Sequence, residues 1–324
     1  MAIYSPKTPI VIASSFEGIV NNGARECALV SFNAYRQQEA DLPIAEDFIL
    51  GKVRSSAEFN GAYRDDPLIE AFVALRPLVR VAEDYRTVVD ILYTYLPDAR
   101  QLANDPTNAT LYKAFERRFN EEKVRTMKER DAFGKDKKTS FFYRERERLM
   151  AEDLDGWLAS QSLYSDTLPQ FAALVDTQIW DGETPVRGFY PRFASTKREA
   201  DIQLLCDFYS KIVNPTKTES GRCLIPRDGI VGLETVPSKK KADQLKVFVG
   251  RLGVPRSQVW NLNDRYDPEE HRELYEEGFR NQFFLPGYAT PQEIEKARND
   301  SMVIMLDRQH FAEQLATIAE QWGF

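Results

Sequence analysis

The sequence is poor in the residues that build metal and redox centres. Only two histidines, His271 and His310, stand in 324 residues. They are too few for a multi-histidine metal site, and neither lies in a setting recognisable as the base of a serine triad. The three cysteines (Cys27, Cys206, Cys223) are far apart, odd in number and outside any C-x-x-C pair. That argues against a disulfide framework or a thiolate zinc site and fits reduced, cytoplasmic thiols. No apolar run approaches the ~20 residues of a membrane helix, so no membrane partner is expected. The opening MAIYSPKTPIV has no charged region leading into a long apolar stretch, so no signal peptide is expected. A net charge of −7 argues against general nucleic-acid binding.

What is present is apolar material and pattern. Hydrophobic residues make up 43% of the chain, enough for a large core, and the length allows two domains or one domain with a large insertion. IVIASSFEGIV, residues 10–20, reads as a strand of small and β-branched residues entering a glycine turn, with Ser14, Ser15 and Glu17 at its mouth. From Cys27 to about Gln161 the texture is helical. ECALVSFNAYRQQ and PLIEAFVALRPLVRVAEDYRTVVDILYTYL carry apolar residues at three- and four-residue spacing. Pro67 suits a first helical turn with Asp66 as its cap, and Pro77 predicts a break. TNATLYKAFERRFNEEKVRTMKERDAF and SFFYRERERLMAEDLDGWLAS predict two further long helices. The aromatic-rich YRTVVDILYTYL is read as bundle core.

Residues 117–148 hold twelve basic against seven acidic side chains. The plain reading is a solvated helix pair laced with i,i+4 ion pairs. The alternative is a surface for an acidic partner, with Arg144, Arg146 and Arg148 as its contacts.

After about residue 162 short apolar runs alternate with helical stretches, from GFYPRFAS to SMVIMLD. There is no internal repeat and no low-complexity tract. This rhythm predicts a doubly wound α/β fold with a parallel sheet. The economical arrangement is an α/β core from residues 1–22 and 162–324, with residues 23–161 inserted after the first strand as a helical cap. Ligands of such sheets bind at the carboxyl ends of the strands, where SSFEG emerges.

Four spaced motifs in the core resemble the haloacid dehalogenase superfamily, most of whose members are phosphatases. That family's first motif, an apolar strand and D-x-D-G-T/V, matches Ser15-Phe16-Glu17-Gly18-Ile19. Its second, a strand ending in Ser or Thr, matches RFASTK with Ser195 in the key place. Its third, a lysine opening a helix, matches SKKKADQLKVF. The spacing favours Lys241, with Lys239 and Lys240 as rivals. Its fourth, a strand ending in an aspartate with another acid soon after, matches VWNLNDRYDPEE at Asp264 and Asp267. The tail LPGYATPQEIEKARND is similar to the phosphoglycolate-phosphatase-like branch. The resemblance implies a Rossmannoid core with a cap, a phosphate-containing small molecule as ligand, and Mg²⁺. It implies nucleophile and acid/base places at Ser15 and Glu17, phosphate contacts from Ser195 and Lys241, and metal ligands at Asp264 and Asp267.

The chain departs where the chemistry is most demanding. Phosphoryl transfer to a side chain needs an ionised nucleophile, and Ser15 has an un-ionised hydroxyl with no histidine nearby in sequence. The substitution also removes a carboxylate that a hard cation favours, so at most weak Mg²⁺ binding is expected. Glu17 keeps an acid one methylene longer than aspartate. Ser195 is equally read as the N-cap of the helix KREADIQLL, and Asp264 as the cap of the helix after Pro268. Three readings follow: a catalytically impaired phosphatase-fold protein that binds phosphate, a hydrolase in which Glu17 or Asp264 activates water, and an interaction protein using its basic helical insert.

Overall fold

The computed structural model describes residues 3–39, 55–213, 225–238 and 240–324. The chain forms two compact units, one from Met1–Asn21 and Leu163–Phe324 and the other from Asn22–Ser162. Cys27 and Cys206 are buried and in no disulfide, and Cys223 lies outside the described residues. No helix among the described residues is long and apolar enough to cross a membrane.

The second unit is helical. It comprises α1 (Ala24–Gln38), α2 (Pro67–Leu75), α3 (Ala82–Thr94), α4 (Leu96–Asn104), α5 (Ala109–Arg125), α6 (Phe141–Glu152) and α7 (Leu154–Ala159), with short turns between them. Asp66 caps α2 by accepting from the Leu68 amide, as the sequence predicts, and Pro77 falls in a single 3₁₀ turn that ends it. The two long helices expected over 107–133 and 140–160 are each broken. At Thr126, where the backbone leaves helical geometry, the hydroxyl and the amide both bond to the Glu122 carbonyl. At Asp153 the backbone leaves helical geometry so that its carboxylate can accept from the Gly156 amide and start α7.

Rings from α2, α3 and α6 fill the centre of this unit. Phe72 stacks on Tyr85 at 5.7 Å, and Tyr85 on Phe142 at 5.1 Å. The basic segment is largely exposed, but its arginines are not all surface groups. Arg125 and Lys135 do pair locally with Glu122 and Asp131. Arg146, however, is mostly buried. It donates twice to the buried Glu26 at 2.8 Å, beside the Trp157 indole, which donates to the same carboxylate. Removing its charge would strand a buried carboxylate and destabilise the unit whatever partner is present. Arg148 pairs with Glu145 and Glu152.

Asp90 gives this unit a pH signature. It accepts from the Tyr35 hydroxyl at 2.8 Å and from Arg86 at 2.9 Å. Burial raises its pKa from 3.8 to about 6, with Arg86 and Tyr35 pulling the other way. A pKa raised by folding contributes stability that is complete below the unfolded value and is lost as pH rises through the folded one. Asp90→Asn should therefore lose the part of the stability decline between about pH 4 and 6 that this group causes. Urea unfolding of the variant and the natural chain at those two pH values checks it. Equal slopes would refute it.

The first unit is a sheet covered by helices on both faces. Its strands are β1 (Pro9–Ser14), β2 (Ile179–Asp181), β3 (Thr184–Ala194), β4 (Ile230–Val231), β5 (Val259–Asn263), β6 (Gln282–Phe284) and β7 (Ile304–Met305). The helices are α8 (Leu168–Val175), α9 (Glu199–Val213), α10 (Lys241–Leu252), α11 (Pro268–Glu276), α12 (Pro291–Arg298) and α13 (Phe311–Gln321). Six strands are parallel, in the order β4-β3-β1-β5-β6-β7, and β2 lies antiparallel on β3. Counting the parallel strands along the chain, the order is 3-2-1-4-5-6. It reverses between β1 and β5, and at such a point the strand ends splay apart and leave a crevice.

Burial explains why β1 is apolar from Pro9 to Ala13. Val11 and Ala13 face a cluster with Leu245 and Phe248 of α10 and Leu274 of α11. Ile10 and Ile12 alternate to the opposite face and are equally buried. On the other side of the sheet, Phe171 of α8 contacts Phe193 of β3 and Phe311 of α13. The mixed α/β fold with a mainly parallel sheet and a helical insert, expected from the sequence, is the one observed.

Candidate functional site

Register places the tips of three strands side by side. Ser14 is paired with Phe193 of β3 and with Leu262 of β5. Ser15 continues the strand, its amide bonded to the Leu262 carbonyl at 3.0 Å. Ser15 is thus flanked by the chain entering Ser195 and the chain entering Asp264, at the crevice of the sheet.

Beyond Ser15 the chain folds into a tight turn. The Phe16 carbonyl accepts from the Val20 and Asn21 amides, and the Gly18 amide bonds to Asn21 O. Gly18 has φ +79°, a conformation that favours glycine. It also has no room for a side chain, because a Cβ there would overlap the Asp264 carboxyl. Gly287 completes the approach: a Cβ on it would overlap the Gly18 carbonyl, and its amide bonds to Asp264 O at 3.2 Å. Two glycines thus let the turn, Asp264 and the loop after β6 close on one another.

Arg308 locks this arrangement from behind. Its Nη1 donates to Gly18 O at 2.9 Å and Pro286 O at 3.0 Å, and its Nε donates to Asp166 at 3.0 Å. Its guanidinium lies 4.4 Å from the Tyr164 ring centre. Burial pushes the Tyr164 phenol up to about 12, with Arg308 opposing and Glu17 reinforcing the shift.

The sequence-predicted residues fare differently. Glu17 sits in the turn, but its carboxylate is engaged. Lys197 Nζ lies 2.8 Å from Oε1, and Asn21 donates to the same oxygen at 2.7 Å. Ser195 is buried just past the tip of β3, with its amide on Val231 O. It is not the helix cap the alternative reading expects. Its hydroxyl accepts from the Lys197 amide at 3.1 Å in a short turn, and α9 begins at Glu199. Lys241, the first residue of α10, is buried, and its Nζ donates to Ala194 O at 3.3 Å beside Ser195. Burial lowers its pKa, while Glu270 and Asp264 act to raise it. Lys240 is exposed on Glu273, and Lys239 lies outside the described residues. So Lys241 and Ser195 share the tip of β3, and Glu17 and Asp264 share the tips of β1 and β5.

Asp267 is placed apart in function. Its exposed carboxylate caps α11, accepting from the Glu269 and Glu270 amides at 2.9 and 3.3 Å. It is Asp267, not Asp264, that takes the capping role. Asn263 donates to Glu270 at 2.8 Å. The histidines are elsewhere: His271 is buried against Gln282 and stacks on Tyr266, and His310 is exposed beside Asp307.

The donor set does not suit the Mg²⁺ that the family resemblance implies. Residue 15 offers a hydroxyl where a carboxylate is wanted, and Asp267 is turned to its helix. Among the described residues no three His, Cys, Asp or Glu side chains are grouped to hold a metal. Lys197, Arg308, Tyr164 and Asn21 were missed by sequence reasoning. Only Lys197 carried a signal, being the lysine two places after Ser195 in RFASTK. Arg308 lies far past the last motif, with no pattern around it.

These features define an open, doubly wound α/β unit with a polar site at its switch point. No family model and no curated protein matches the sequence. Two solved structures are similar. One, a Clostridium difficile protein provisionally assigned as a phosphatase, has 10% identity and a TM-score of 0.43, covering 95% of this chain and 99% of that one. The other, a Bacteroides fragilis protein provisionally assigned as a haloacid dehalogenase-like hydrolase, has 14% identity and a TM-score of 0.40, covering 94% and 100%.

Proposed function

We propose that this chain is a haloacid dehalogenase-like protein that retains a phosphate-binding pocket and has lost aspartyl-phosphate chemistry, with residues 23–161 as its cap. The observation that carries the reading is the pairing of a neutral Ser15 at the tip of β1 with a buried Lys241 ammonium beside Ser195 at the tip of β3. A buried cation at a strand tip favours an anion there, and Ser195 keeps its hydroxyl proton to donate. The Ser15 hydroxyl has no histidine beside it to act as base, since His271 is engaged with Gln282 and His310 with Asp307, and Glu17 is held by Lys197 and Asn21. No step is drawn through Mg²⁺.

The same engagement of Glu17 counts against a hydrolase in which Glu17 activates water. Arg146, mostly buried on Glu26, counts against an acidic-partner surface built on Arg144, Arg146 and Arg148.

The test is titration with inorganic phosphate, followed by calorimetry. The natural chain should bind it, and Lys241→Met should weaken binding at least about tenfold, the scale of one charge-assisted contact. The natural chain should not turn over p-nitrophenyl phosphate with or without Mg²⁺. Unchanged phosphate affinity in Lys241→Met, or ready turnover by the natural chain, would overturn the proposal.

A further inference from the structure

The cations of this site are not equivalent. Arg308 is saturated by Asp166 and two carbonyls, and Lys240 is exposed on Glu273. Lys241 rests on the Ala194 carbonyl, a neutral acceptor. Lys197 has a carboxylate partner from the neighbouring strand's turn, Glu17. Both side chains of that pair are about four-fifths buried, at 18% and 19% exposure. Asn21, four residues on in the same turn, fixes the carboxylate in place.

Position makes this pair more than a structural tie. The Lys197 amide is bonded to the Ser195 hydroxyl, so lysine and serine belong to one short turn. Lys241 meets the same turn one residue earlier, at Ala194. An anion received by Ser195 and Lys241 meets the turn that carries Lys197, whose ammonium already holds a carboxylate oxygen. Two anions competing for one ammonium in a partly desolvated place repel each other strongly.

We infer that Glu17 is a built-in counter-anion that holds Lys197 until a phosphate-type anion displaces it, and that Lys197 is a phosphate-binding residue of this site alongside Lys241. This deepens the phosphate-binding reading above and rests on it. It assigns Glu17 a role in setting anion affinity, in the place where the resemblance implies proton transfer. The chemistry selects tetrahedral oxyanions that carry enough charge and enough acceptors to replace a carboxylate on an ammonium.

The experiment is calorimetric titration of the full chain with inorganic phosphate, across Glu17→Gln, Lys197→Met and the double variant, with Lys241→Met in parallel. Glu17→Gln, which keeps the side chain's length, should bind phosphate about tenfold more tightly than the natural chain. Lys197→Met should bind about tenfold more weakly. In the Lys197→Met background the glutamine substitution should change little, because the contested ammonium is gone. Should a variant fail to give a cooperative melt, Lys197→Arg takes its place. It should retain phosphate binding if the charge is what matters.

If Lys241→Met loses phosphate while Glu17→Gln and Lys197→Met bind as the natural chain does, the inference falls and the phosphate-binding function stands. If Lys241→Met binds as the natural chain does, or the natural chain binds no phosphate, both fall. Weakened binding in Glu17→Gln would show that the carboxylate supports the site and would overturn the inference.

Discussion

Replacing Ser15 by aspartate should create a Mg²⁺-dependent phosphatase from a chain proposed above to lack aspartyl-phosphate chemistry. The backbone geometry is already in place: Ser15 is bonded to Leu262 of β5, and Asp264 lies two residues beyond that contact, against Gly18. A carboxylate at residue 15, with Asp264 at the neighbouring strand tip, would add a second charged oxygen donor for a hard cation. It would also supply the ionised nucleophile that phosphoryl transfer requires. The expected reading is hydrolysis of p-nitrophenyl phosphate at least about a hundredfold above the natural chain's background, lost on chelation. Glu17 is held by Lys197 and is one methylene longer than aspartate, so Ser15→Asp with Glu17→Asp should be faster than Ser15→Asp alone. Failure of both variants to show turnover, while both still bind phosphate, would show that more than the nucleophile has been lost.

The second large effect concerns packing. Gly18→Ala should destabilise the sheet unit by more than 3 kcal/mol. About 1–2 kcal/mol comes from placing a side chain in the left-handed region, and the remainder from the overlap of the new Cβ with Asp264. A control separates the two causes. Gly182, in the β2–β3 hairpin, also has positive φ (+59°), but nothing lies within 4 Å of a Cβ built there. Gly182→Ala should therefore show the backbone cost alone. Urea unfolding, followed by tryptophan fluorescence, measures both. Trp180, Trp260 and Trp322 belong to the sheet unit. Equal losses in the two variants would remove the claim that Asp264 and the turn are closely packed.

What the sequence made legible follows from what its patterns encode. Alternating apolar runs and amphipathic stretches exist because a parallel sheet buries both faces, and β1 reads as apolar from Pro9 to Ala13 for that reason. Pro77 and Asp66 act locally, so their effects on α2 were readable. The breaks at Thr126 and Asp153 are also local, yet threonine and aspartate are compatible with helix. Their hydroxyl and carboxylate hydrogen bonds there were not readable from spacing. Arg146 was misread for a different reason: it lies in a run of charges, and nothing in that run marks Glu26, 120 residues earlier, as its partner.

The site divides in the same way. Ser15, Ser195, Lys241 and Asp264 could be named because each stands at a strand end or helix start, positions the rhythm itself locates. Asp267 follows Asp264 closely enough to suggest a joint role, but two amides of α11 claim its carboxylate. The Glu17–Lys197 pair and the Arg308 lock join residues about 180 and 290 positions apart. A single sequence holds no mark of such pairings.

The connectivity of the sheet also sets an order of events in synthesis. β1 is made first, yet both its neighbours come later, β3 starting at Thr184 and β5 at Val259. The ribosome must produce some 170 residues before this apolar strand meets either partner. Closing so long a loop is slow, and an unpaired apolar strand is prone to association meanwhile. The helices encoded in between depend mostly on contacts among themselves, and their unit is complete in the chain before β3 begins. Refolding should accordingly show helical signal recovering ahead of the β1-dependent tryptophan signal from Trp260, and nascent chains ending short of residue 184 should be the ones that most need a chaperone.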